Sequence, residues 1–286
     1  MEEDRPSRTA EGAGIQRAIH QTVDEDPKIL NDPVAARMVD PSSDFYKSFV
    51  EGLERMPAPL RLQRRAYSVM RSRYTEDCLG ASVTVGIRQY VILGAGLDTF
   101  GYRQPSWAKS LRVFEVDHPA TQSWKRAKLA AAKVEIPDNV TFAPIDFERV
   151  TLKEGLAASG FDFGIPTFFS WLGVTPYLTE EAFDGTLKFV LSMPRSTEIV
   201  LDFMVPDHLM PPDVAAVVRA VNTRIAEQGE PIIARFVPEE LTAKLEAKGF
   251  QKVVHLSPQA VDQRYFAGRR DGLSAPVAFQ IMRAIV

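Results

Sequence analysis

The sequence predicts an α/β fold built on a mostly parallel, doubly wound sheet, and three observations carry that expectation. Short apolar runs rich in β-branched and aromatic residues alternate with helical stretches through the middle of the chain. One of them, Tyr90-Val91-Ile92-Leu93, breaks into Gly94-Ala95-Gly96-Leu97-Asp98, as a buried strand does when its exit turn must pass close to something. A second run, Arg112 to Asp117, follows about twenty residues later and ends on an acid. Strand, glycine turn, helix, strand and terminal carboxylate is the layout of a nucleoside-binding half-sheet, with Asp117 accepting from ribose hydroxyls.

The residues after the second glycine bear on which nucleoside is bound. A dinucleotide fold places a third small residue three positions on and leaves a helix N-terminus free for the pyrophosphate. Here that position is Thr99, and Asp98 puts a negative charge where a diphosphate would lie. A ligand with a sulfonium and an ammonium group tolerates that charge, which favours S-adenosylmethionine over NAD.

The elements can be taken in order. Residues 1–14 read as a flexible lead-in, and short helical stretches follow from Gly14 to His20 and from Asp32 to Val39. Asp44 to Glu54 sets Phe45, Phe49 and Leu53 on one face of an amphipathic helix. Leu60 to Leu79 reads as a long helix carrying Arg61, Arg64, Arg65, Arg71 and Arg73. These arginines default to a solvated face, although one of them could turn inward to grip a carboxylate. The first 80 residues thus precede the sheet as a helical lid. A helix from Pro119 to Lys133 leads to a third strand, Asn139 to Pro144. Pro166 to Leu172 is the fourth strand, Thr179-Glu180-Glu181 opens the next helix, and Glu198 to Val205 is the fifth strand. An insertion from Pro206 to Phe236, with a helix over Val214 to Glu227, has the length of a substrate cap. Val237 to Gly249 is a helix closed by glycine, and Lys252 to Leu256 and Val277 to Met282 are two final strands. With no internal repeat or linker, 1–286 counts as a single domain: lid 1–80 and core 81–286, with the cap at about 206–236.

The 286 residues carry a net charge of −3 with both signs scattered, so no basic face invites nucleic acid or an anionic membrane. A single cysteine, Cys78, rules out an intrachain disulfide and reads as a packing residue. No apolar run reaches the roughly twenty residues of a membrane span, and the acidic start is unlike a secretory signal. The expectation is a soluble, cytoplasmic protein.

ILGAGLDTFGYR, the FEVDHP run and the PIDF strand end resemble the bacterial S-adenosylmethionine-dependent methyltransferases related to leucine carboxyl methyltransferase. The early SRTAEGAGIQRA and late RYFAGRRDGLS segments are similar to the same group, so the likeness runs over nearly the whole chain. The resemblance implies a Rossmann-like, seven-stranded class I methyltransferase sheet with the last strand antiparallel. It implies the cofactor's methionine part near Gly94, Ala95 and Gly96, its ribose on Asp117 with His118 nearby, and its adenine beside Asp146 and Phe147. Arg71 best matches the arginine that holds the cofactor carboxylate in such proteins, with Arg73 and Arg17 as further candidates. One departure stands out. Members close to the protein-methylating enzyme carry a glutamate after the fourth strand, in a run like EGLLMYL, where this chain has Ser170-Trp171-Leu172-Gly173-Val174-Thr175-Pro176-Tyr177-Leu178. Ser170 joins the candidate cofactor contacts there, and transfer of a protein C-terminus as substrate is put in doubt.

Methyl transfer from a sulfonium is an in-line displacement that depends on alignment and exclusion of water. A carboxylate nucleophile is ionised at neutral pH, whereas a phenol or alcohol needs a base. Among four histidines, His208 in the insertion is a candidate base, and Tyr177 could hydrogen-bond a substrate oxygen; neither is an obvious proton acceptor. No histidine pair has metal-ligand spacing. The expectation is an O-methyltransferase for a small molecule, with a carboxylate favoured as the acceptor. Protein C-terminal carboxyl methylation, an NAD-type oxidoreductase and a non-catalytic binding protein remain as alternatives, and the oligomeric state stays open.

Overall fold

A computed structural model of the chain describes residues 7–147, 149–227 and 229–286. Seven strands form one sheet: β1 (Gln89–Leu93), β2 (Arg112–Asp117), β3 (Val140–Pro144), β4 (Thr167–Trp171), β5 (Glu198–Met204), β6 (Lys252–Leu256) and β7 (Phe279–Ile285). Their order is β3-β2-β1-β4-β5-β7-β6, with β7 antiparallel to both neighbours and the first five strands parallel. The chain order reverses between β1 and β4, so a crevice opens beyond the carboxyl ends of those strands. The final strand starts at Phe279 rather than Val277, because Pro276 and Val277 belong to the cavity wall described below.

Among the described residues ten α-helices surround the sheet: α1 (Arg8–Val23), α2 (Pro33–Met38), α3 (Asp44–Glu54), α4 (Ala58–Thr84), α5 (Pro119–Ala131), α6 (Leu152–Ala158), α7 (Glu180–Leu191), α8 (Pro212–Glu227), α9 (Pro238–Lys248) and α10 (Pro258–Val261). Alternation along each strand divides the core in two. Val91, Leu93, Phe114 and Val116 face α6, α7 and α9 on one side. Tyr90, Ile92 and Val113 face Ala66, Val69, Met70 and Leu79 of α4 on the other.

Two expectations need correction. Of residues 1–14, read as a flexible lead-in, 1–6 lie outside the described residues, and 8–14 are the first turns of α1, capped by Ser7 and packed closely enough that a Cβ on Gly12 would strike the Phe49 ring at 2.6 Å. The helix expected between β1 and β2 is replaced by two short 3-10 turns, Phe100–Tyr102 and Ser106–Ser110. Gly101 and Pro105 interrupt that connection, and α4 already fills the adjoining layer of the core. The stretch taken as a lid therefore divides: α4 packs on the sheet, whereas α1 and α3 line the cavity beyond the strand ends.

Buried carboxylates tie these early helices to the core. Asp24, just after α1, accepts from Arg65 Nε at 2.7 Å and Nη2 at 2.6 Å, and pairs with His20 Nδ1 at 2.7 Å. Burial pushes its carboxyl up, but the bonds from His20 and Arg65 outweigh that and hold it below the ordinary value. Asp32 accepts from Arg17 Nε at 3.1 Å and from Thr99 Oγ1 at 2.6 Å, while Arg17 Nη2 reaches the Leu97 carbonyl at 2.5 Å. α1, α2 and the glycine turn are thus one unit.

Arg65→Met leaves Asp24 buried with only His20, and unfolding in urea should show a loss of about 3 kcal/mol at neutral pH. Because the folded pKa of Asp24 is lowered, its contribution is present above the unfolded value near 4 and is lost as pH falls through the folded one. The difference between variant and wild type should therefore shrink below about pH 4; a difference that grows in acid would contradict the pairing.

Candidate active site

The strand ends open into a cavity of about 1140 Å³. Its floor is Leu93 to Asp98 after β1, Asp117 and His118 after β2, Ile145 to Phe147 after β3 and Trp171 to Val174 after β4. Its far wall comes from α3 and α8, through Phe45, Phe49 and Leu53 on one and Val217, Val221 and Ile225 on the other. The apolar stripe legible on α3 thus faces the cavity rather than the sheet core.

At the floor, the backbone is bent as only glycine permits. Gly94 has φ +68°, and a Cβ there would lie 2.4 Å from Val174 Cγ2, so the close approach expected of this glycine is made by the turn after β4. Asp117 accepts from the Gly96 amide at 2.5 Å and the His118 amide at 2.7 Å. Burial pushes its carboxyl above the ordinary value, outweighing those amides. Thr121 adds a side-chain hydrogen bond, and Asp117 lines the cavity as a carboxylate with up to about four acceptor sites. His118 Nδ1 accepts from the Ala120 amide at 3.3 Å and so caps α5. Beyond β3, Asp146 and Phe147 line the cavity, and the Phe147 ring is 61% exposed, a free face for a planar ligand.

Arg71 enters from α4. Its Nη1 donates to Tyr67 Oη at 2.7 Å and to Asp202 Oδ2 at 3.0 Å, and Tyr67 Oη donates to the same Asp202 oxygen at 2.5 Å. Burial alone would lower the Arg71 pKa, but Tyr67 and Asp202 raise it above the usual arginine value. Asp202 Oδ1 accepts from the Gly173 amide at 2.7 Å, and Gly173, at φ +72°, lies so near Arg71 that a Cβ would sit 2.8 Å from Nη1. Among the described residues, Nε and Nη2 of Arg71 make no hydrogen bond, which leaves one edge of the fork free to meet a carboxylate in the cavity.

The structure brings together Arg71, Gly94, Ala95, Gly96, Asp117, His118, Asp146, Phe147 and Tyr177 as cavity-lining residues. Arg17 also reaches the lining, with its guanidinium committed to Asp32 and Leu97. Three candidates are not brought in. Arg73 lies on the exposed face of α4, bonded to Asp77 at 2.8 Å. Ser170 is buried inside the sheet, 2.8 Å from Tyr90 Oη. His208 is exposed in a 3-10 turn outside the lining. Sequence reasoning did not single out Asp202, Tyr67 or Gly173 as site residues; an acid inside the apolar run EIVLDFM was the available signal for the first.

The residues fit a nucleoside with an amino-acid tail: an acid for the ribose, an exposed ring at the adenine end, and an arginine edge opposite. Comparisons with known proteins identify the family. The sequence model of the family described as "Leucine carboxyl methyltransferase" matches residues 10–191. The chain is 33% identical to the "Putative S-adenosyl-L-methionine-dependent methyltransferase YktD" of Bacillus subtilis strain 168, over 100% of this chain and 99% of that protein. It is 36% identical to a like-named protein of Mycolicibacterium paratuberculosis over 66% of this chain and 63% of the relative. In three dimensions it is similar to a "putative methyltransferase" from Thermobifida fusca, with TM-score 0.61, 15% identity, and coverage of 96% and 93% of the two chains. A duf574 family protein from Streptomyces avermitilis gives TM-score 0.58 at 17% identity, covering 96% of each chain.

Asp117→Ala should weaken S-adenosylhomocysteine binding at least about tenfold in calorimetry, since ribose hydroxyls would lose their acceptor. In wild type the carboxylate form is lost as pH falls through a raised pKa, so affinity should begin to drop above the ordinary aspartate range near pH 4. Unchanged affinity in the variant would remove Asp117 from the site.

Proposed function

Because this chain is a member of the leucine carboxyl methyltransferase family, and an S-adenosylmethionine-dependent methyltransferase, we propose that it methylates an oxygen of a small, largely apolar acceptor. A carboxylate is the acceptor group that suits the cavity best. The observation that carries this reading is the continuity of the cavity, from a polar floor at the strand ends to an apolar chamber between α3 and α8. Its volume exceeds what one nucleoside cofactor fills, so a second small molecule has room beside it.

In this reading Asp117 holds the ribose, Asp146 and Phe147 the adenine, and the free edge of Arg71 the cofactor carboxylate. Bound S-adenosylmethionine supplies an electrophilic methyl group on sulfur. The chain's own part is to align the acceptor and keep water out, which proximity and desolvation make sufficient for an acceptor that is already ionised. Among the described lining residues the carboxylates are Asp98, Asp117, Asp146 and Glu230, of which Asp98 accepts from the Phe100 amide and Glu230 from the Thr9 amide. His118 is the one histidine among the described lining residues, and its Nδ1 is used by α5. Tyr177 lies beside Thr9, and burial pushes its phenol up to about 12, so it stays protonated at neutral pH and acts as a hydrogen-bond donor.

α1, α3 and α8 serve in this account as the roof, with the Thr9 amide donating to Glu230 at 3.1 Å where the roof meets the insertion. A protein C-terminus is the second acceptor class the family suggests, but the apolar walls on both sides favour a small molecule.

With a methyl-labelled cofactor and carboxylic acid acceptors, label should be released as methanol in mild alkali; an alkali-stable product would exclude an ester. The turnover rate should be flat from about pH 6 to about pH 9, and Tyr177→Phe should keep it within about tenfold. A rate that climbs tenfold per pH unit would instead identify an acceptor that must lose a proton.

A further inference from the structure

The arginines of α4 that sequence could not tell apart have separate fates. Arg65 is paired with Asp24, Arg71 with Asp202 and Arg73 with Asp77. Arg64 is different. It lines the cavity, two turns before Arg71 on the same helix face, and its guanidinium makes no hydrogen bond or ion pair among the described residues. Its guanidinium lies over the Phe49 ring, 5.3 Å from guanidinium carbon to centroid. Phe49 and Tyr177 lie near it, and the lining it shares holds the apolar side chains of α3 and α8 together with Asn222, Arg224 and Glu230.

A cation kept without an acid in an apolar wall is costly, and burial correspondingly holds the Arg64 pKa below the usual arginine value. Phe49 offsets part of that cost, and the donors of the fork stay unused among the described residues. A planar fork with unused donors matches a carboxylate in two parallel hydrogen bonds, and an apolar chamber beside it matches a hydrocarbon body. Water could hydrate the guanidinium in the free protein, but an uncharged ligand filling the chamber would strip that water and give nothing back.

We propose that Arg64 is the specificity-determining residue of the acceptor site, gripping the carboxylate of an amphiphilic small molecule whose apolar body lies between α3 and α8. The proposal rests on the reading that this chamber admits the acceptor, and it does not require that the gripped carboxylate be the group methylated.

The test uses the full chain with saturating S-adenosylhomocysteine and two probes, decanoate below its micelle concentration and the neutral decanamide, titrated by calorimetry. Wild type should bind decanoate at least about tenfold more tightly than decanamide, and Arg64→Met should bind the two alike. S-adenosylhomocysteine affinity should stay within about twofold in the variant, which separates loss of the acceptor site from loss of the fold. Should Arg64→Met fail to bind S-adenosylhomocysteine, Arg64→Lys carries the test: a point charge in place of the fork should cut the preference by about threefold or more. No decanoate binding, no preference in wild type, or a preference that survives both substitutions would overturn the proposal. Methyl transfer is read separately. Decanoate held by Arg64 yet never methylated would support the anion site while counting against a carboxylate as the methyl acceptor.

Discussion

One fully buried carboxylate, Asp202 on β5, sets the geometry on which the strand-end side of the cavity depends. It takes a hydrogen bond from Tyr67, an ion pair from Arg71 and the amide of Gly173, and so joins α4, the sheet and the turn after β4 at a single point. An unpaired charge at that depth would be expensive, and the group is stable only because every partner is present. The arrangement requires Gly173 to be glycine, since the guanidinium lies where its side chain would begin. It also bears on the departure from the family pattern after β4. The turn itself lacks an acid, and the acid that meets its backbone is supplied by the neighbouring strand.

The second constraint is the set of ion pairs around Asp32. Burial pushes that carboxyl up, but Arg103 and Arg17 more than compensate and hold it low. Through Thr99 and the Leu97 carbonyl, the same group fixes the turn that follows β1. Packing adds to this: Ala10 of α1 sits 3.1 Å from where a Cβ on Gly96 would be. α1, the first of the helices that roof the cavity, is therefore anchored on the loop that forms its floor.

Much of this could be read from the chain. β2, β6 and α3 fall where alternation and helical spacing put them, and Asp117 ends its strand at the cavity as expected. These features are local: a few consecutive residues suffice to specify them. What was not legible depends on distant partners. Nothing near Arg64, Arg65, Arg71 or Arg73 says which of them turns inward, because Asp24 and Asp202 lie 41 and 131 positions from Arg65 and Arg71. The start of α1 was missed for a related reason. Its Ala- and Gly-rich turns carry no apolar stripe, and they are buried by contacts with Phe49 and Leu97 that only the folded chain creates. The helix expected after the glycine turn was lost to a competing helix, α4, whose own sequence lies before the sheet.

The anchoring of α1 on the loop after β1 has an evolutionary corollary. Residues that shape the chamber and residues that form the turn after β1 are interleaved along the first hundred positions, so natural variation in the roof is not free to drift independently of the floor. A hybrid gene joining the leading forty residues of one relative to the remainder of another would carry a mismatch at Arg17, Asp32 and Leu97, and would pay for a new acceptor preference in lost grip on the methyl donor. Diversification of substrate choice in such a scaffold is therefore expected to concentrate in α3 and α8, the two walls that no buried ion pair described here binds to the floor.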